Sequence, residues 1–438
     1  MRIRALFTNA AFALALVGCA AGARAQERDA PKVEIGVQHT SLSLNLTPSG
    51  GTENAVGFGA RATYNFNDYF AVEAEGNVYP GGTQTRLVTG GAAQQAQFGV
   101  KVGKRWNTFG VFAKARPGLI SFSDTLVPVA AGSGVFNGFD YVRERKTHFS
   151  MDVGGVLEFY PSRRTLVRFD AGDTIIRYGE HPDIVPAPGT LLPLPSLGTG
   201  RAEVRHNFQF AAGVGFRFGG SDDGGGAAAQ TSATRGRVRR FEVGVQFSSF
   251  VLNLEPDDFG VPTFAPFDEG SNAEAGIGLR VGYNVTDNLA FEAEGNFYPR
   301  RRFGISTTVG GYPSQFQAGV KYGRRFDRFG VFAKARPGFM HFSNVSRVTG
   351  VETFTFGGEQ FFFPTFEGRG KSYFSMDVGG VLEFYPSDRL FTRFDVGDTM
   401  IRYAGRDATG FLFATPPARL PTELRHNLQV TAGIGFRF

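Results

Sequence analysis

The sequence predicts an all-β protein: two tandem eight-stranded antiparallel up-and-down transmembrane β-barrels. Three observations predict it. Apolar and polar residues alternate with a period of two over long stretches, as they do in strands between two unlike environments. The chain repeats itself once, and the connections between stretches alternate between short and long. The same observations allow one alternative, a single sixteen-stranded barrel.

The chain has 438 residues, with Gly (60) and Phe (47) abundant and Trp (1) and Cys (1) scarce. Residues 1–25 read as a secretory signal. Arg2 and Arg4 form the basic start, Ala5 to Val17 the short apolar core, and Ala23-Arg24-Ala25 an A-x-A cleavage site. Leu16-Val17-Gly18-Cys19 offers a competing reading as a lipobox, with Cys19 lipidated. Cleavage after Ala25 is preferred, because a barrel is already anchored by its wall. No other segment has the roughly 18 apolar residues of a membrane helix. Cleavage would leave no cysteine, and so no disulfide or thiolate metal site. It removes three of the 46 basic residues and no acid, leaving 43 against 40, or +3. That balance is too mild to point to nucleic acid, and no basic tract with interleaved aromatics does so either.

The repeat sets the domains. FGVFAKARPG occurs at 109–118 and 329–338, and MDVGGVLEFYPS at 151–162 and 376–387. The first barrel is expected over 26–218 and the second over 241–438. A flexible Gly/Ala/Ser/Thr-rich linker over 219–240 joins them. Strands in the first copy are expected near 32–46, 55–67, 70–80, 93–106, 109–122, 146–161, 165–179 and 203–218. In the second copy they are expected near 241–254, 273–286, 288–299, 314–326, 329–342, 371–386, 390–404 and 423–438. Asn67-Asp68-Tyr69, Asn107-Thr108 and Ser162-Arg163-Arg164 make tight turns. The connections after Leu46, Pro80, Phe122 and Gly179 are long.

The faces separate lipid from lumen. Val56, Phe58, Ala60, Ala62, Tyr64 and Phe66 share one side of the second strand. Phe149, Met151, Val153, Gly155, Leu157 and Phe159 share one side of the sixth. The last strand of each copy alternates most plainly. In EVRHNFQFAAGVGFRF, Phe208, Phe210, Ala212, Val214, Phe216 and Phe218 face one way. In ELRHNLQVTAGIGFRF the corresponding residues are Leu428, Val430, Ala432, Ile434, Phe436 and Phe438. Alternation alone also fits a soluble sandwich. The terminal aromatic and the rest of the chain argue against one. Tyr69, Trp106 and Tyr160, near strand ends, are candidates for an aromatic girdle.

The opposite face collects charge. In the first copy it carries Glu34, Arg61, Glu73, Glu75, Lys101, Arg105, Lys114, Arg116, Asp152, Glu158, Arg168, Asp170, Arg205 and Arg217. In the second it carries Glu242, Arg280, Glu292, Glu294, Lys321, Arg325, Lys334, Arg336, Asp377, Glu383, Arg393, Asp395, Arg425 and Arg437. Each set has eight basic and six acidic groups. Charges taken out of water need partners, and an eight-stranded barrel is just wide enough for side chains to fill. The expectation is a structural ion-pair network that plugs each lumen. Glu73 with Glu75, and Asp152 with Glu158, could suggest acid–base catalysis. Nearly balanced charge argues instead for mutual satisfaction.

The remaining signals carry no chemistry. His39 and His148 stand near the long-loop ends of strands, His181 lies in a long loop, and His206 and His426 face outward near the rim. They show no H-x-x-x-H spacing and no Ser/His/Asp arrangement, and no metal or other cofactor is expected. Pairs such as Gly154-Gly155 fall within strands, so they are not phosphate loops. They let side chains fit or the wall bend. In the seventh strand, alternation puts Asp173 and Arg177 outward, as it does Asp398 and Arg402 in the copy. Either a bulge near Gly172 and Gly397 resets the register, or this end of the strand stands above the lipid core. The second is preferred. Loop 180–202, rich in Pro and Leu, and loop 343–370, with Phe361-Phe362-Phe363-Pro364, could bind a surface partner or fold back on the rim.

On strand number, loop asymmetry, face chemistry and the terminal Phe strands, the mature chain resembles a tandem pair of small outer-membrane β-barrels of the OmpA/OmpX-like type. The resemblance implies the outer membrane of a Gram-negative bacterium, with both termini of each copy and the linker in the periplasm and long loops outside. It implies outer-membrane lipid and lipopolysaccharide as surroundings. It also makes Phe216, Phe218, Phe436 and Phe438 the closing signal read by the barrel-assembly machinery. The chain departs from OmpA in lacking a periplasmic peptidoglycan-binding domain, and no catalytic motif can be carried over. The expected function is non-enzymatic, structural or surface-interacting through the loops. A sixteen-stranded porin-like channel is the second reading and a lipid-modifying barrel enzyme the third.

Overall fold

The computed structural model describes residues 31–45, 52–83, 85–130, 139–186, 195–219, 239–254, 272–302, 306–356, 359–407 and 419–438. The expected signal 1–25, Cys19 included, and residues 220–238 of the expected linker lie outside the described residues. The chain divides into two compact units.

The wall of the first unit consists of β1 (Val33–Asn45), β2 (Thr52–Asn65), β3 (Phe70–Thr83), β4 (Gly91–Arg105), β5 (Phe109–Ala130), β6 (Phe139–Phe159), β7 (Thr165–Tyr178) and β8 (Glu203–Phe218). Each strand pairs with its neighbours in sequence, and β8 pairs antiparallel with both β7 and β1. The β1–β8 ladder runs unbroken from Val33↔Phe218 to Ser43↔Phe208. The sheet therefore closes on itself, which removes the open edges a flat sheet would leave. The wall of the second unit consists of β9 (Phe241–Val251), β10 (Ala273–Asn284), β11 (Leu289–Phe297), β12 (Pro313–Arg325), β13 (Phe329–Phe356), β14 (Glu359–Phe384), β15 (Leu390–Tyr403) and β16 (Leu428–Arg437). Its β9–β16 ladder runs from Glu242↔Arg437 to Val251↔Leu428. The sixteen-stranded alternative does not form. It would need the free edge of β8 to receive β9, and that edge is already taken by β1.

The tight turns have local causes. Asn67 Oδ1 accepts the backbone N–H of Tyr69 and of Phe70, each at 2.8 Å. Ser162 Oγ does the same for Arg164 at 3.2 Å and Thr165 at 2.9 Å. These side-chain-to-backbone bonds close a chain reversal that the sheet then continues.

At the opposite end the wall is taller than the sequence suggests. β5 and β6 run to 22 and 21 residues, and β13 and β14 to 28 and 26. Much of the expected loops 123–145 and 343–370 is therefore a continued hairpin. Phe361 to Pro364 lie within β14, where Phe361 pairs with Phe354 and Pro364 with Val351. A register shift after Phe122, and another after Phe342, breaks the period of two there, so the extensions do not read as more of the same strand. Connection 180–202 likewise contains a small hairpin, His181–Pro186 with Pro195–Gly200.

The seventh strand needs no bulge. The pairings of β7 with β6 and β8 show no register shift, and neither do those of β15 with β14 and β16. Alternation simply continues past Gly172 and Gly397, so Asp173 and Asp398 lie on the outer face.

Candidate functional site

The outer face of each wall is apolar and open. Phe58, Phe98 and Phe216 are about 60 % exposed, and Leu279, Phe436 and Phe438 are similarly bare. The inner face is the reverse. Arg116 and Asp152 are 0 % exposed, and Lys101, Arg168 and Asp170 nearly so. A charged group out of water is costly unless an opposite charge and hydrogen bonds meet it, and the inner face is built to supply both.

In the first unit the charges lie in connected tiers. Near the tight-turn end, Lys101 Nζ on β4 donates to Glu158 on β6 at 2.6 Å and approaches Glu34 on β1 and Glu73 on β3, each at 3.6 Å. Arg105 donates to Glu34 at 3.0 Å, and Arg217 lies 3.5 Å from the same carboxylate. The next tier joins opposite walls. Arg168 on β7 pairs with both oxygens of Glu73 and, at 2.7 Å, with Asp170. Arg116 on β5 pairs with Glu75 on β3 and Asp152 on β6, each at 2.5 Å. Lys114 meets Asp152 at 2.6 Å and also pairs with Asp170. Such two-sided guanidinium contacts use Arg's planar fork. Arg61 donates instead to Gln38 at 2.8 Å. Arg205 stands at the rim and pairs with Glu203.

The second unit repeats the lattice. Lys321 meets Glu383 at 2.5 Å, Glu292 at 3.0 Å and Glu242 at 3.4 Å. Arg325 reaches Glu242 at 3.3 Å, and the guanidinium of Arg437 lies over the Tyr385 ring. Arg336 bridges Glu294 and Asp377, each at 2.5 Å, and Lys334 meets Asp377 at 2.7 Å. Arg393 pairs with Glu292 and with Asp395. Arg280 donates to Gln246 at 3.2 Å, and Arg425 pairs with Glu423 at the rim.

Gly172 and Gly397 serve this lattice. A Cβ at Gly172 would lie 2.7 Å from Asp152 Oδ1 and 3.1 Å from Lys114 Cε, and one at Gly397 would meet Asp377 and Lys334. Only glycine leaves room there for the lysine–aspartate pair.

Three further sets of residues fill the lumen beyond the charges expected from the sequence. The first is a chain of neutral polar groups above the charges. Gln38 donates to Asn77 at 3.0 Å, Asn77 to Gln95 at 2.9 Å, Gln95 to Gln209 at 3.1 Å, and Thr174 to Gln209 at 2.7 Å. The signal was present, since Asn77 continues the alternation of Glu73 and Glu75. The second is Tyr160. It is not part of a girdle but is buried in the lumen, donating to Glu158 at 2.7 Å, accepting from Arg105 at 3.0 Å and lying under Arg217. Its position two residues after Glu158 is the reason. Trp106 is exposed and stacks on Phe109, with ring centroids 4.7 Å apart. The third set is an apolar layer at the long-connection end. In the second unit Phe250, Tyr298, Met340, Phe342, Tyr373 and Tyr403 form one buried cluster there.

His148, His206 and His426 stand apart from the charge lattice. His206 pairs with Asp173 at 2.6 Å and His426 with Asp398 at 2.5 Å, all four on the outer face. His148 is buried, with its ring nitrogen 2.9 Å from the Val88 carbonyl oxygen.

A closed antiparallel sheet with an apolar exterior and a charged interior defines a β-barrel made to stand in lipid. The model of the outer membrane protein beta-barrel domain matches the chain twice, over 10–218 and 224–438, and the chain belongs to that family as a tandem outer-membrane β-barrel. Among solved structures it is similar to the N-terminal β-barrel domain of Pseudomonas aeruginosa OprF, at 13 % identity over 46 % of this chain and 100 % of that one (TM-score 0.24). It is similar to Ail, the attachment invasion locus protein of Yersinia pestis, in complex with the heparin analogue sucrose octasulfate, at 17 % identity over 43 % and 97 % (TM-score 0.24). It is also similar to the CymD monoaromatic hydrocarbon channel, at 6 % identity over 93 % and 89 % (TM-score 0.30). No curated protein matches it.

Proposed function

We propose that the chain is a non-enzymatic protein of the Gram-negative outer membrane, OmpA-like in its barrels. On this reading both lumens are plugged, and the protein acts structurally or through the connections at the tall end of each wall. One observation carries the reading. Lys101, Arg116 and Arg168, each at most 1 % exposed, tie β4, β5 and β7 to carboxylates on other strands across the lumen. A lattice of this kind occupies the space that an ion or substrate would use. The same carboxylates are spent on guanidinium and ammonium groups, which leaves none poised as a general base, so the reading includes no catalysis and no cofactor.

Export by the segment 1–25, assembly by the barrel-assembly machinery, and lipid and lipopolysaccharide around the wall belong to this reading. So does a topology with the tall ends outside the cell and the linker in the periplasm. The experiment is conductance of the full-length protein in a planar bilayer. The expected result is no steady conducting step. Long-lived, large steps would replace this reading with the porin-like one.

A further inference from the structure

Beyond the apolar cluster at the tall end of the second barrel lies an open cleft of about 450 Å³. Val345 belongs both to the cluster and to the lining of the cleft. The ionisable side chains of the lining are Arg347, Arg369, Lys371 and Arg406, with no carboxylate among them, and Thr307, Ser346 and Ser372 add hydroxyls. Two acids stand near the lining. Glu367 sits opposite Arg347 across the β13–β14 ladder, and Glu423 pairs with both Arg406 and Arg425. Lys371 Nζ stands 5.0 Å from the centroid of the Tyr373 ring. Arg347 and Arg369 are exposed.

The first barrel shows that the wall does not require this charge. Phe342↔Lys371 corresponds to Phe122↔Lys146, and Val345↔Arg369 to Thr125↔Glu144. Counting on from those pairs, Arg347 corresponds to Val127. Counting from the matching Tyr403 and Tyr178, Arg406 corresponds to His181. Four basic residues in the second barrel thus stand where the first has Val127, Glu144, Lys146 and His181. The lattice below repeats almost residue for residue, whereas the ionisable side chains lining the cleft are all basic, where the first-barrel counterparts of the lining include Glu144 and Glu180.

We propose that the mouth of the second barrel is a binding site for a compact polyanion, a polyol or sugar carrying several phosphate or sulfate esters. Guanidinium forks bind such esters two oxygens at a time. The volume is that of an ordinary small-molecule site, about 300–1,000 Å³. The cleft opens at the mouth rather than on the lipid-facing wall, which favours a ligand from the aqueous side over a headgroup of the same membrane. The proposal deepens the surface-interaction reading above and rests on it for its biological meaning.

The test is titration of the full-length protein in detergent micelles with myo-inositol hexakisphosphate, with myo-inositol as the neutral control. The expected result is saturable binding of one equivalent per chain that weakens as salt is raised, with none for inositol. Arg347→Gln with Arg369→Gln should lower the affinity at least about tenfold, or about 1.4 kcal/mol. Arg177→Gln with Arg402→Gln, on the outer walls, should leave it unchanged, and both double variants should keep the heat-modifiable mobility of the folded barrel. Absence of saturable binding, undiminished affinity in the cleft variant, or equal loss in the wall variant would overturn the site. Micelle binding is independent of topology and of conductance, so failure here leaves the plugged-lumen reading standing, and a conducting protein leaves the site standing.

Discussion

At the scale of single residues, the lattice makes its members unequal. Glu75 holds Arg116 from one side while Asp152 holds it from the other. Glu75→Lys would put a third cation beside Arg116 and Lys114 and remove a partner, so the first barrel should lose roughly 3–5 kcal/mol. Urea unfolding in micelles would show the loss, and an unchanged midpoint would mean that water reaches this tier. Tyr160→Phe is a gentler probe. It leaves Glu158 and Arg105 each short of one hydrogen bond and should cost about 1–3 kcal/mol, whereas a girdle tyrosine at the lipid boundary would barely register. The inward charges were legible because a strict period of two assigns every second residue to the lumen. Tyr160 obeys the same rule from Glu158, but its place beside a turn made the boundary reading attractive. The four rim and cross-wall arginines that do not join the central tiers, Arg61, Arg205, Arg280 and Arg425, share a face with the rest. Their distance from the carboxylates depends on strand stagger, which a sequence does not carry.

At the scale of strands, the closing element of each copy is the most readable part of the chain and the most testable. Phe438 is the last residue, exposed on the outer face, and exchanges backbone hydrogen bonds with Phe241. Deleting it should reduce assembly of the second barrel and leave heat-modifiable protein scarce in the membrane fraction. Full insertion of the truncated protein would remove the assignment of β16 as a signal strand. The tall hairpins were less readable. Beyond Phe122 and Phe342 the register shifts, so the inside-outside pattern that identified the wall no longer holds, although the backbone pairing continues. Their exposure to solvent still orders the chain. Protease added to intact cells should cut within 123–145 or 343–370 before it reaches 219–240. Cleavage of the linker first would turn the topology over.

At the scale of the whole molecule, the repeat forms two barrels, each closed by its own first and last strand. Residues 26–218 expressed alone should therefore fold in micelles to a protease-resistant form. The repeat, the strand count and a separate closure of each copy were read from the sequence, with the sixteen-stranded ring as the alternative. Sixteen amphipathic strands can make one wide ring or two narrow ones, and only the partner of β8 distinguishes them. The measurement that reads that partner directly is disulfide trapping in the folded full-length protein, since the single native cysteine, Cys19, lies within the first 25 residues. Val37 and Val214 face each other across the β1–β8 ladder, so Val37→Cys with Val214→Cys should oxidise readily, as Cβ atoms of paired strands come within or near the 3.5–4.5 Å a disulfide needs. That bridge should form, with none between Val214→Cys and Val245→Cys on β9. The reverse pattern, β8 trapped against β9 and not against β1, would contradict closure of each barrel by its own strands.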